Sequence, residues 1–323
     1  MNAGEILAAF PKLRVLVVGD VCLDRWCRYD PRLAEPSRET GIPRTAVVST
    51  EVTAGAAGTI ANNLAALGAG TVAVLGVTGD DGQGDELARA LAERGIRTDL
   101  MLRSRAVQTF TYTKLINLQT GTEDLPRVDF VNADALPGKL DDALAETLEQ
   151  HAQEFDVILV SDQAETPAGG AVTAKLRRVL TEVAAQKLVW VDSRMRPEHF
   201  RGVILKPNRD EAQAALARLE AVEYRVLLER TQAPLLLVTH GHFGVLLVER
   251  ERETWVRTRW IQNPVDICGA GDSFSAGAAM ALEVTGSAVD AAKFGNLVAS
   301  ITIMKKGTGV ATPREVLEAA ASE

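Results

Sequence analysis

Cysteine is scarce in this chain: Cys22, Cys27 and Cys268 are the only three in 323 residues. An odd, sparse set with no CxxC pair fits neither a disulfide framework nor a zinc site, and points to reduced thiols. Long apolar runs are missing as well. None approaches the roughly 20 residues that a membrane-spanning helix needs, so no membrane partner is expected. The stretch Met1 to Lys12 has no basic leader and no convincing cleavage site, so a secretory signal is not expected. Together these absences predict a cytoplasmic protein. Positive charge is in the minority, with 35 Lys and Arg against 43 Asp and Glu and a net charge of −8. A nucleic-acid partner that depends on a broad basic surface is therefore excluded.

Several chemical signatures are also absent. No GxxxxGK[ST] phosphate loop occurs. Gly269 and Gly271 give the first two glycines of a dinucleotide fingerprint, but Phe274 holds the third position, and the motif lies near the C-terminus. No HExxH, GxSxG or metal-ligand cluster is present. His240 and His242 alternate after a strand and lack a third ligand at suitable spacing, so they read as lining residues. Internal repeats, low-complexity tracts and an interdomain linker are missing too.

What remains is strand–helix alternation. Leu13 to Gly19 is a short β-branched run typical of a buried parallel strand. Ala54 to Ala69 reads as a helix with a small-residue entry and a Gly68 stop. Further core strands are expected at Thr71 to Val77, Asp156 to Ser161, Leu188 to Val191, Val203 to Leu205 and Leu235 to Val238, with helices between them. This pattern predicts an α/β fold with a mostly parallel sheet covered on both faces. Two segments break it. Residues 28–53 contain a Pro- and Arg-rich stretch and then a strand, and 98–131 switch to strands; together they predict a small, discontinuous β lid.

Polar residues gather where the predicted strands end: Asp20 and Asp24, Ser161 and Asp162, Asp192 to Arg194, Lys206 to Glu211, and Thr239 to Gly244. One acid at a strand end means little. Five clusters at successive ends look like one site on the carboxyl edge of a sheet. The stretch Asn263 to Phe274 adds a glycine turn and a helix start near Ala270. Unpaired N–H groups and the helix dipole make such a start an anion site. Asp272 places a carboxylate beside it, as phosphoryl transfer requires: donors for the moving group and a base for the accepting hydroxyl. Taken alone, the stretch also reads as a capped core helix.

Asp266 to Asp272 (Asp-Ile-Cys-Gly-Ala-Gly-Asp) resembles the C-terminal signature of the ribokinase-like carbohydrate kinases, the PfkB family. Ala54 to Ala69 resembles its N-terminal signature, Asn208 to Glu211 its Asn-x-x-Glu motif, and Thr239 to Gly244 its nucleotide loop. The resemblance runs from about Arg14 to Pro313, with the motifs in family order. Within the family, Val15 to Trp26 and Ser161-Asp162 look most like the kinase domain of bacterial heptose-phosphate kinases. The chain looks too short to hold the nucleotidyltransferase domain fused to some of those.

The resemblance implies a three-layer α/β/α sandwich with a small β lid, forming one kinase domain over 1–323, and ATP-dependent phosphorylation of a sugar or sugar-phosphate hydroxyl. Heptose 7-phosphate at its anomeric position is one acceptor it suggests. Asp272 would be the base, and Gly269, Ala270 and Gly271 would present N–H groups to the γ-phosphate. Asn208 and Glu211 would organise Mg²⁺ and phosphate, mainly through water. Thr239, Gly241 and Gly244 would line ATP, with Asn296 near the adenine. Asp24, Gly55, Thr59, Asp162 and Arg194 are the candidate substrate-binding residues. A monovalent cation such as K⁺ and a homodimer through the lid are further implications. If the acceptor carries a phosphate, its holders should come from Arg38, Arg44, Arg103, Arg105, Lys114 and Arg194.

Some positions depart from the family pattern. Ala54-Gly55 replaces a paired glycine, Thr59 stands where a sugar-binding Asn is frequent, and Cys268 stands for Thr. Glu165 occupies the position where heptose kinases tend to place Lys. The departures fall at the acceptor end and leave the catalytic end intact. A nucleoside kinase, or a non-catalytic sensor on the same fold, therefore stays open as an alternative.

Overall fold

Val15 and Val17 pack into one hydrophobic cluster, while Leu16 and Val18 pack into another. A strand with apolar residues on both faces must be covered on both faces, because successive side chains point oppositely. The computed structural model, which describes residues 1–322, shows that arrangement across the large sheet except at its outermost strand, residues 253–256.

Helix α1 (Ala3–Ala9) leads into β1 (Arg14–Gly19) and β2 (Val21–Tyr29). β3 (Val47–Ala56) feeds α2 (Ala57–Ala66), followed by β4 (Thr71–Leu75), β5 (Val77–Gly79) and α3 (Gly82–Ala92). Then come β6 (Leu102–Ser104), β7 (Thr111–Asn117) and β8 (Val128–Phe130). Alternation resumes with α4 (Gly138–His151), β9 (Val157–Asp162), α5 (Ala174–Val183), β10 (Leu188–Ser193) and β11 (Ile204–Leu205). Next are α6 (Arg209–Arg218), α7 (Tyr224–Thr231), β12 (Leu236–Thr239) and the hairpin of β13 (Val245–Val248) and β14 (Glu253–Val256). The chain closes with α8 (Ala270–Thr285), α9 (Ala288–Thr302) and α10 (Pro313–Ala320).

The main sheet has eight strands in the order β14-β13-β12-β11-β10-β9-β1-β4. All neighbours from β12 to β4 are parallel, and the hairpin adds two antiparallel strands. Helices α1, α2, α8, α9 and α10 cover one face, and α4 to α7 cover the other. The result is a three-layer α/β/α sandwich. Strand order reverses between β1 and β9, and the carboxyl ends there carry Gly19, Asp20, Ser161 and Asp162. Open sheets of this kind bind ligands at such a point.

A second sheet runs β3-β2-β7-β8, with β2 antiparallel to β3 and parallel to β7. It differs from the expected lid of 28–53 and 98–131 in three ways. Residues 21–29 form a nine-residue strand paired with β3 and β7, with Arg28 bound to Glu51 on β3 and Arg25 facing Glu86 on α3. The segment Ala54 to Ala56 belongs to β3, through the pairing of Cys22 with Gly55, and the helix starts only at Ala57. Leu102 to Ser104 pairs with β5 in a separate two-stranded sheet and is not part of the second sheet. Only Asp20 separates β1 from β2. Its buried carboxylate accepts the Gln163 N–H at 2.7 Å and the Ala171 N–H at 2.6 Å, and so holds the loop after β9.

Candidate active site

A cavity of about 250 Å³ lies between the small sheet and the carboxyl edge of the large one. Its wall includes Asp24, Thr59, Lys114, Arg194, Gly269 and Asp272. Helix α8 starts against it. Gly269 caps the helix with φ +76°, a left-handed conformation suited to glycine. A side chain at Gly269 would also press on Thr59 and Thr308 at 3.3 Å. Asp266 holds the approach to this turn, accepting the Cys268 N–H at 2.9 Å and the Gly307 N–H at 3.1 Å. Of the first-turn N–H groups of α8, that of Ala270 donates to the Ile267 carbonyl at 3.2 Å, while those of Gly271 and Asp272 have no intrahelical partner.

Asp272 sits one residue into that turn beyond Gly271 and is half-buried. Burial and the neighbouring charge of Asp192 push its carboxyl up to about 7, although Lys206 pulls the other way. It is therefore poised near neutrality, where a general base works best. Lys206 directly follows β11 and was not singled out as a site residue from sequence. It is 3% exposed, forms an ion pair with Asp192, and stands 3.2 Å from where a side chain on Gly271 would begin. Burial opposes its charge, but Asp192, Glu211 and Asp272 outweigh burial and raise it. A lysine directly after an apolar strand was the signal available.

Asn208 and Glu211 form a reciprocal capping box at the start of α6. Asn208 Oδ1 accepts the Glu211 N–H at 2.9 Å, and Glu211 Oε2 accepts the Asn208 N–H at 2.7 Å. Burial and Asp192 raise the Glu211 carboxyl well above its usual range. Asp192, Glu211 and Asp272 thus crowd around Lys206 with an excess of negative charge. Asn208 bridges to Thr239 at the end of β12, which brings Gly241 and Gly244 to the same edge. Gly244 is fixed by close packing, since a side chain there would strike Val256 O. Asn296 lies farther along, in a cleft of about 590 Å³ with Arg257, Arg259 and Lys293.

At the acceptor end, Gly55 makes room for Asp24. A side chain at Gly55 would come within 2.5 Å of Asp24 Oδ2. Burial raises Asp24 to about 6. Of the expected substrate residues, Asp24, Thr59 and Arg194 line the cavity, and Gly55 supports it from behind. Asp162 does not reach it. It is 1% exposed and bound to Arg196 at 2.8 and 3.1 Å and to Ser193 Oγ at 2.7 Å, so it braces two strand ends. Of the six expected phosphate holders, Lys114 and Arg194 line the cavity. Arg103 and Arg105 bind Asp80, and Arg44 pairs with Glu35. The cavity wall adds Trp26, Tyr112 and Arg127, which sequence reasoning had not assigned to the site, and Glu165, which it had marked as a departure at the acceptor end. Tyr112 and Lys114 alternate on β7, and that period was the available signal.

The chain matches the family described as pfkB family carbohydrate kinase over residues 12–315. It belongs to that family. The protein named Bifunctional protein HldE from Methylococcus capsulatus is 34% identical over 321 residues, which are 96% of this chain and 64% of that protein. The chain spans about two thirds of the length of the curated relatives it matches. Ribokinase from Arabidopsis thaliana, solved with ribose and ATP, superposes with a TM-score of 0.70 at 18% identity, over 95% of this chain and 98% of that one. Phosphofructokinase-2 from Escherichia coli, solved with potassium, gives 0.71 at 17% identity, over 96% and 99%. These two likenesses establish a ribokinase-like fold. No helix among the described residues is long and apolar enough to cross a membrane.

Proposed function

We propose that this chain transfers the γ-phosphoryl group of ATP to a hydroxyl of a sugar. The observation that carries the reading is one cavity with Asp272 and the start of α8 on one wall and Asp24 on another. In this reading, ATP lies along the edge from Asn296 past Thr239, Gly241 and Gly244, with its phosphates towards Lys206 and the N–H groups of residues 269 to 271. Asp24 orients the acceptor, and Asp272 takes the proton of the attacking hydroxyl. Lys206 and the helix start stabilise charge on the moving group.

Mg²⁺ fits this site as an ion carried by ATP phosphates. Among the described residues no three His, Cys, Asp or Glu side chains converge to ligate a metal directly. The acidic excess around Lys206 nevertheless favours a cation, and Asn208 and Glu211 would meet it through water. When bound, the ion neutralises the transferring group. A monovalent cation such as K⁺ and a homodimer through the small sheet belong to the same proposal. The dimer is supported by edge strand β3, which exposes Val47, Val48 and Val52, since an exposed apolar edge favours pairing with another chain.

A second reading, with heptose 7-phosphate as acceptor, is favoured by the cations on the cavity wall, Arg25, Lys114, Arg127 and Arg194. ADP release over a panel of free sugars, sugar phosphates and adenosine tests both. Turnover with at least one sugar, lost in Asp272→Asn while ATP still binds, is the expected result. Near wild-type turnover by that variant would refute the assignment of the base. Binding without ADP release from any acceptor would favour a sensor.

A further inference from the structure

The acceptor cavity is rich in arginine, yet its arginines are already matched by acids. Arg194 Nη1 donates to Glu165 Oε1 at 2.8 Å, and Tyr112 Oη donates to the same oxygen at 2.6 Å. Arg127 Nε donates to Asp129 Oδ2 at 2.8 Å, and its guanidinium stacks on the Tyr112 ring with 4.5 Å to the centroid. Arg25 faces Glu86 at 3.6 Å. Lys114 has no carboxylate within ion-pair distance among the described residues, and its charge acts on Asp24. Four cations thus meet Glu165, Asp129, Glu86 and Asp24, and Asp272 adds one further acid. A phosphate on the acceptor that used both arms of Arg194 would have to take Nη1 from Glu165 and then sit beside that carboxylate. Arginine binds phosphate best through two parallel N–H bonds, and here one of the two is already given to an acid.

The same wall suits a free polyol. Carboxylates accept sugar hydroxyls, Glu165 keeps its second oxygen for that purpose, and Trp26 gives an aromatic surface for the apolar face of a ring. We infer that Glu165 makes this chain select an unphosphorylated sugar over its phosphate, by neutralising Arg194 and opposing a second anion with its own charge. The inference rests on the sugar-kinase reading above and decides between its two forms. Specificity of this kind comes from a repulsive element as much as from an attractive one.

The test uses the full chain with Mg-ATP and matched acceptor pairs: ribose and ribose 5-phosphate, fructose and fructose 6-phosphate, and a heptose and its 7-phosphate. The expected kcat/KM for the preferred free sugar exceeds that for its phosphate by about tenfold or more, and Glu165→Gln lowers that ratio by about tenfold. Glu165→Lys should move it further towards the phosphate. Thermal melts and ATP binding establish that each variant is folded. Wild-type preference for a phosphorylated member, or a ratio that Glu165→Gln leaves unmoved, overturns the inference. If no pair releases ADP, the kinase reading fails by itself. Calorimetric binding of the same pairs then decides: tighter free sugar supports the role of Glu165, whereas tighter phosphate, or binding of neither member, overturns it.

Discussion

Replacing Asp272 by asparagine should cost activity and gain stability, with a gain that grows from about pH 4 to about pH 7 and is constant above. In the fold, burial and Asp192 raise this carboxyl from 3.8 to about 7. Ionising it there costs about 4 kcal/mol relative to water, since each tenfold change in acidity is about 1.4 kcal/mol. Below pH 3.8 the group is protonated both folded and unfolded and adds nothing. Between 3.8 and about 7 the unfolded chain releases the proton while the folded one keeps it, so stability falls as pH rises. Above about 7 the penalty is constant. Asparagine is neutral at every pH and of the same shape, so the variant escapes the penalty. With an unfolding entropy of about 2.1 cal/mol/K per residue, a chain this long gains at most about 6 °C in Tm. Paired melts at pH 8 and pH 4 measure it. A gain of several degrees at pH 8 that shrinks to near zero at pH 4 is expected, with kcat down by about 10²–10⁴-fold or more. The wild-type rate should also rise with pH up to a plateau above about 7. An equal shift at both pH values, or none, would show that Asp272 is not held against its ionised form and would refute the reasoning.

Gly55→Ala should raise the acceptor KM by about tenfold or more without changing ATP affinity, because the new methyl displaces the Asp24 carboxylate; steady-state kinetics with each substrate varied separates the two. Lys206→Met leaves Asp192 buried without its partner and should destabilise the fold by about 3–5 kcal/mol in denaturant titration, as well as slowing phosphoryl transfer. Glu211→Gln keeps the capping box and removes a carboxylate whose ionised form burial disfavours, so its melting temperature should be at or above wild type, while the Mg²⁺ concentration for half-maximal rate should rise; an unchanged Mg²⁺ response would leave Glu211 as a cap alone.

The parallel sheet was legible because buried strands such as Val15 to Val18 and Val157 to Val160 are apolar on both faces. The α8 start was legible because the glycine turn and Asp272 are neighbours in sequence. β2 was not. Asp24, Arg25 and Arg28 interrupt its apolar run and imitate a turn, and their partners Lys114, Glu86 and Glu51 lie elsewhere in the chain. The helix entry was misplaced for a related reason. Ala54-Gly55-Ala56 has no side chains to declare a period, and only pairing with Val21 to Leu23 makes it strand. Asp162 read as a ligand because nothing local reveals Arg196, 34 residues on. Glu165 was visible as an odd residue, but its meaning depends on Tyr112, 53 residues before it.

Asp20 gives the molecule a mechanical linkage. It is the single residue between the last residue of the large sheet's β1 and the first residue of the small sheet's β2. The same carboxylate grips the backbone at Gln163 and Ala171, the ends of the loop that carries Glu165. Any rotation of the small sheet about this point pulls on that loop. In the kinase reading proposed above, the wall carrying Glu165 would therefore travel with the small sheet, and acceptor choice would be coupled to any closure of that sheet.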